Sequence, residues 1–214
     1  GAPRIKAPNC GVWSNATSAE AIRMQGAPLL QGSEVCAAGA TGNAEQRISP
    51  EITTDCGAAP DPYRRALSDI PTGCTHTNFS LPKRGTIELS PGVYCGELEI
   101  DSIDVSLRPG LYVVKDGPLV LKGNGSLAGN EVALVLTGEG AALDLQGTPD
   151  ISLSATTTGD LAGIVIAVTD TGSEADRSDM QGSPTLTLTG SIYLPGQLLA
   201  LQGNPAVNLQ GHAE

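Results

Sequence analysis

Aromatic side chains are scarce in this chain: one Trp, one Phe and four Tyr make up 3% of 214 residues. That scarcity excludes a core built on packed rings and favours thin, closely stacked layers of small and aliphatic residues. Long apolar runs are absent as well. None approaches the roughly 20 residues of a membrane-spanning helix, and no secretory leader stands at the start. Gly1-Ala2 reads as a processing remnant, so the chain is expected to be a mature or trimmed ectodomain.

Positive charge is nearly missing from the second half. Residues 1–84 carry eight Lys/Arg against seven Asp/Glu, whereas residues 85–214 carry four against sixteen, for a net charge of −11 overall. A long acidic surface repels phosphate backbones, which excludes nucleic acid as a partner and argues against anionic membrane surfaces. Any membrane attachment would have to come through an anchor preceding Gly1. Cysteine is missing after residue 95. The five present (Cys10, Cys36, Cys56, Cys74, Cys95) form no C-x-x-C, and His76 and His212 are too far apart for a zinc motif. Disulfides in an oxidising, extracytoplasmic compartment fit better. The local pairs Cys74–Cys95 and Cys36–Cys56 are expected, with Cys10 left over for a partner upstream.

What the chain has is glycine, 27 residues of it, with 15 prolines and a hydrophobic fraction of 40% that argues against disorder. A short phrase recurs: Leu121-Lys122-Gly123-Asn124-Gly125, Leu145-Gln146-Gly147-Thr148-Pro149, Met180-Gln181-Gly182-Ser183-Pro184 and Leu201-Gln202-Gly203-Asn204-Pro205. Met24-Gln25-Gly26-Ala27-Pro28 opens the series. Each copy reads as a strand end, a glycine corner and a new strand. The spacings from Gly123 to Gly147, Gly182 and Gly203 are 24, 35 and 21 residues, which points to a solenoid of β-coils with about three strands per turn. The competing reading is recurrent turn chemistry in an antiparallel sandwich.

The fold class expected is therefore all-β: a single-domain parallel β-helix, right-handed by the crossover rule, with one short helix in an N-terminal insertion. Residues 1–60 form an N-terminal β section and loop, read as the first coil or two. Residues 61–79 hold the helix, at about 62–69, with Asp61 as cap and Pro62 at its first position. Residues 80–214 form the main β-helix. Alternation places Val93, Leu111, Val113, Leu119, Leu134, Leu145, Ile164, Ile166, Leu188 and Leu201 inward. Trp13, the lone tryptophan, is expected to pack over an exposed end coil.

Three phrases in order, Leu89-Ser90-Pro91-Gly92-Val93-Tyr94-Cys95, Leu107-Arg108-Pro109-Gly110-Leu111-Tyr112-Val113 and Ile192-Tyr193-Leu194-Pro195-Gly196 with its later Gly203-Asn204, carry a family resemblance. Together with Asp61-Pro62-Tyr63 and Cys74-Thr75, they resemble the C-terminal region of TadG-like proteins of the Tad (tight adherence, Flp-type) pilus system, over roughly residues 8–211. The resemblance implies an extracytoplasmic, membrane-anchored component of a bacterial pilus apparatus, with pilus or cell-envelope proteins, or a surface ligand, as partners. It brings no catalytic residues. Members of that family usually begin with a hydrophobic helix, which this sequence lacks. The sequons at Asn15, Asn78 and Asn124 would matter only in a eukaryotic secretory pathway, which the resemblance argues against.

β-Helices also house polysaccharide lyases and hydrolases, whose sites need paired carboxylates or a metal with a nearby base. Asp101 with Asp104 and Asp144 with Asp150 are the candidate pairs, each at a corner or outward position where a solvated carboxylate is the default. No Asp/Arg/Lys cluster accompanies them, so no enzyme is expected; a polysaccharide-binding or polysaccharide-degrading protein is the alternative. No cofactor is expected. A weak calcium candidate is the acidic insertion Asp170, Glu174, Asp176 and Asp179, to which Asp150 or Asp160 could contribute, although the fixed spacing of an EF-hand is missing. The insertion at 169–179 should form a loop projecting from one face. Thr185, Thr187 and Thr189 share a face and read as ordinary β-branched strand filling.

Overall fold

Glycine corners set the architecture. In the computed structural model, which describes residues 1–19, 21–24, 27–41, 47–57, 60, 63–169, 177–195 and 197–211, the chain winds as a parallel β-solenoid with three walls. The first coil is β6 (Thr86–Leu89), β7 (Gly92–Cys95) and β8 (Leu98–Asp101); the second is β9 (Asp104–Leu107), β10 (Gly110–Lys115) and β11 (Leu119–Lys122). The third is β12 (Ser126–Gly129), β13 (Val132–Thr137) and β14 (Leu143–Gly147), and the fourth β15 (Asp150–Ser154), β16 (Ile164–Val168) and β17 (Arg177–Gly182). The fifth is β18 (Thr185–Thr189), β19 (Ser191–Tyr193) and β20 (Leu198–Gly203), after which β21 (Ala206–Gln210) opens a sixth. The N-terminal section supplies β1 (Arg4–Ser14), β2 (Leu29–Ala37), β3 (Ile48–Ser49) and β4 (Thr53–Thr54), and α1 (Arg64–Ser68) and β5 (His76–Thr77) follow.

The N-terminal coils, first in sequence, are last in the stack. The long sheet runs β3-β2-β1-β21-β18-β15-β12-β9-β6, so β1 lies beside β21, with Ile5 opposite Val207. The reason is the recurring corner. Thr185 N donates to Pro149 O at 3.0 Å, Ala206 N to Pro184 O at 2.9 Å, Arg4 N to Pro205 O at 2.8 Å and Leu29 N to Pro3 O at 2.9 Å. Gly1-Ala2-Pro3 thus continues the Gly-x-Pro column above Gly203-Asn204-Pro205, and is a structural corner where the sequence suggests a remnant. A second small core of Leu30, Val35 and Ile48 forms beneath β2 and β3.

Residues 63–77 then carry the chain back along the solenoid as a strap over the six-stranded sheet β19-β16-β13-β10-β7-β5. Tyr63 meets Tyr193 edge-on at 5.4 Å, Leu67 packs on Val135, Ile164 and Ala167, and Lys115 Nζ donates to Thr72 O at 3.2 Å. Cys74 is bonded to Cys95 of β7. The helix is shorter than expected. It spans five residues, Arg64–Ser68, with Tyr63 at the N-cap position and no side-chain cap hydrogen bond, and Asp61 and Pro62 lie outside the described residues.

The strap overturns part of the inward assignment. Val93, Val113 and Ile164 are buried, but they cluster with the strap side of this sheet, with half-buried Leu111 beside them, and not with the main core. Both faces of the strapped sheet are covered, and strands buried on both faces read as continuous apolar runs, as Val132–Leu136 and Ile164–Val168 do. A register shift between Ile164 and Ile166 turns Ile164 outward. The main core holds Leu119, Leu134, Leu145, Ile166 and Leu188 as expected, with Leu201 packed against it.

The end coils are closed differently from expectation. Trp13 remains 46% exposed. At the β6 end, His76 stacks on Tyr94 at 4.6 Å, Phe79 meets Tyr94 at 5.3 Å, and Tyr94 lies over Tyr112 at 6.3 Å. The Tyr112 hydroxyl, fully buried, lies 2.8 Å from Leu89 O and 2.9 Å from Arg108 O. Burial above all, reinforced by the neighbouring Tyr94, pushes its pKa up to about 12. A tyrosine that is harder to ionise when folded contributes stability that is complete below its free pKa near 10 and is lost as pH rises from about 10 to about 12. Urea midpoints should fall across that window, and Tyr112→Phe should flatten the fall.

One buried polar group interrupts the aliphatic stack. Ser178 follows Leu98, Leu119 and Leu143 in an inward column of the five-stranded short sheet β20-β17-β14-β11-β8, and is fully buried. Its hydroxyl accepts from Leu143 N at 3.1 Å and donates to Gln197 Oε1 at 2.6 Å, and Gln197 Nε2 donates to Ala141 O at 2.7 Å. These bonds tie the corners of three successive coils. Ser178→Ala leaves a buried N–H and an amide oxygen unmet and should cost about 2 kcal/mol in chemical denaturation.

Candidate functional site

The carboxylate pairs suggested by the sequence do not face a common cleft. Asp101 ends β8 on the short sheet and accepts from Ser102 Oγ at 2.9 Å; Asp104 starts β9 on the long sheet and accepts from Ser126 Oγ at 2.6 Å. A corner through Ser102, at φ +55°, separates them. Asp144 lies on the short sheet, where Gln146 Nε2 donates to it at 2.9 Å, and Asp150 lies on the outer face of the long sheet opposite Thr185. Asp170, Glu174 and Asp176 lie outside the described residues. Asp179, their remaining companion, is bound by Arg177 at 2.6 Å. Among the described residues no three of His, Cys, Asp and Glu come together as a metal-holding group.

The threonine row is one rung deep. Thr185, Thr187 and Thr189 pair with Asp150, Ser152 and Ser154 on one side and with Ala206, Asn208 and Gln210 on the other. Both expected disulfides are present, Cys36–Cys56 and Cys74–Cys95, and Cys10 is free. Burial pushes the Cys10 thiol pKa up, which holds it as the less reactive neutral thiol.

A carboxylate pair that the sequence reading missed lies on the short sheet. Glu97 immediately precedes β8 and Glu99 is the second residue of that strand, and the two side chains are hydrogen-bonded to each other. Burial raises the Glu97 pKa first, its hydrogen bond and charge interaction with Glu99 raise it further, and Lys122 opposes them. Lys122 itself is paired to Glu99 across the strand gap. The i, i+2 spacing was the available signal.

A groove lies between the strap and the sheet beneath it, with a volume of about 320 Å³. Its floor is Gly110, Leu111 and Ala133 of the strapped sheet. Ala66, Asp69, Ile70 and Pro71 of the strap form one wall, and Thr156, Thr158, Asp160 and Leu161 of the β15–β16 loop form the other. That loop is braced by itself: Thr156 Oγ1 donates to Thr158 O at 3.0 Å and Gly163 N to Thr156 O at 2.9 Å. Among the described residues, no aromatic or basic side chain lines the groove. Apolar floor and acidic walls together suit a ligand with a hydrocarbon stem and a cationic head. Sequence reasoning missed the groove because its two walls lie about ninety residues apart and meet only through the strap.

No family model matches this chain, and no curated protein matches it. Among solved structures it is similar to an antifreeze ice-binding protein from an Arctic yeast, at 14% identity over 98% of this chain and 91% of that one, with a TM-score of 0.36. A likeness that weak carries no argument about function.

Proposed function

We propose that this chain is a non-enzymatic structural or adhesive component of a bacterial Tad-type pilus, displayed outside the cytoplasmic membrane and contacting pilus or cell-envelope proteins or a surface ligand. The observation that carries the reading is the strap. It lies over one wall of the solenoid and is locked there by Cys74–Cys95, which ties a stiff display element to a compartment where disulfides persist. The three phrases that resemble TadG-like proteins support it. So does the placement of Asp101 and Asp144 on the short sheet and of Asp104 and Asp150 on the long sheet, which splits each of these two pairs between two walls.

The test is genetic. Deleting the segment that encodes this domain in the source bacterium should reduce piliation or surface attachment; unchanged pili together with unchanged attachment contradict the reading. The competing reading, a secreted polysaccharide-binding or polysaccharide-degrading protein, draws on the two carboxylates of the groove, where among the described residues a sugar ring would find no aromatic platform. Release of oligosaccharides from uronic-acid or neutral polysaccharides by the purified chain would decide for it.

A further inference from the structure

We propose that the groove between the strap and the β15–β16 loop binds an exposed basic side chain, arginine or lysine, of a partner protein. The inference deepens the display reading and rests on it for the partner being a protein. Asp69 and Asp160 stand on opposite walls of one groove, and neither makes an ion pair among the described residues. Asp69 has a hydrogen bond of 3.4 Å from Ser68 Oγ, and Arg65, one helical turn back, does not pair with it.

The charge inventory says where the missing cation comes from. Residues 85–214 contain four basic side chains, and each already has its own carboxylate: Arg108 with Glu88, Lys115 with Asp116, Lys122 with Glu99 and Arg177 with Asp179. The main solenoid therefore has no spare cation for the groove, which leaves its two carboxylates open to a cation from another molecule. The floor of Leu111 and Ala133 suits the methylene stem of such a side chain, which gains by leaving water while its head stays at the acidic rim. A guanidinium, planar and with five donors, can bridge carboxylates on two walls better than a point charge.

The probe is acetyl-Gly-Arg-Gly-amide, with its citrulline counterpart as the isosteric neutral control, titrated into the disulfide-intact full chain and followed by amide NMR. Saturable shifts at 66–71, 110–111, 133 and 156–161 are expected with the arginine peptide in the millimolar range and not with citrulline. Asp69→Asn and Asp160→Asn should each weaken binding about threefold, and about tenfold together, because both carboxylates are exposed. Both variants are surface changes and should retain the parent thermal midpoint. Shifts confined to the acidic short sheet around Glu99, Asp144 and Asp179, equal response to both peptides, or undiminished binding by the double variant would each overturn the proposal. Failure of the display reading is distinguishable: the peptide would still saturate the groove while deletion of the domain left pili and attachment unchanged.

Discussion

Gly147→Ala is expected to lower the unfolding free energy by about 3 kcal/mol, while Gly159→Ala, at nearly the same backbone angle, should cost about 1 kcal/mol. Gly147 has φ +90° and Gly159 has φ +84°, both outside what an L-residue adopts without strain. They differ in what a methyl group would meet. At Gly159 nothing lies within 4 Å, whereas at Gly147 the new Cβ would sit 2.7 Å from Gly123 O and 3.2 Å from Gly123 Cα, one coil below. That carbonyl already accepts the corner bond from Thr148 N at 2.7 Å. Relieving the clash means moving the acceptor, so strain and hydrogen-bond loss add at Gly147 and only strain acts at Gly159. The smaller cost at Gly159 is further offset because alanine restricts the unfolded chain. Urea titrations of the two variants beside the parent give both numbers; equal losses would mean that stacking contributes nothing to the glycine requirement.

The strap carries the second large effect. Replacing both Cys74 and Cys95 with alanine opens a loop of sequence separation 21 and should cost about 3 kcal/mol on the chain-entropy account. The loss should be local in character. Val93 and Val113 cluster with Cys95 on the strap side of the sheet, so their amides should exchange with solvent faster while those of Leu145 and Leu186, in the main core, remain slow. Leu67 keeps the upper part of the strap seated on Val135, Ile164 and Ala167. Faster exchange spread evenly over all three walls would contradict the picture of a strap held at its lower end by one bond.

Corner glycines and the strap mark the two limits of what the residue pattern conveys. The corners are legible in the sequence because Gly147, Gly182 and Gly203 repeat the same backbone demand, and the long and short sheets are legible because one face of each is wet. The strapped sheet misleads. Val132–Leu136 is apolar at every position, and a rule that sorts alternate residues inward and outward cannot register a second cover. The stack order is illegible for a related reason. The only mark that β1 belongs beside β21 is Gly1-Ala2-Pro3, three residues whose meaning depends on a corner two hundred residues away. The groove inherits that blindness, since Asp69 and Asp160 share it only because the chain doubles back. Disulfide pairing is legible because both bridges close short local loops.

The doubling back is the claim on which the groove, the strap and the capped end all depend, and one distance tests it. Gln31 and Glu88 face outward in the same column of the long sheet, with Lys6, Asn208, Thr187, Ser152, Ala128 and Ser106 between them. Seven strand spacings of roughly 4.8 Å put them about 34 Å apart. Nitroxides at positions 31 and 88 in a Cys10→Ser background, measured by double electron–electron resonance, should give a single population near that distance. A population below about 15 Å, as two adjacent coils would give if the N-terminal section stacked directly on β6, would contradict the doubling back.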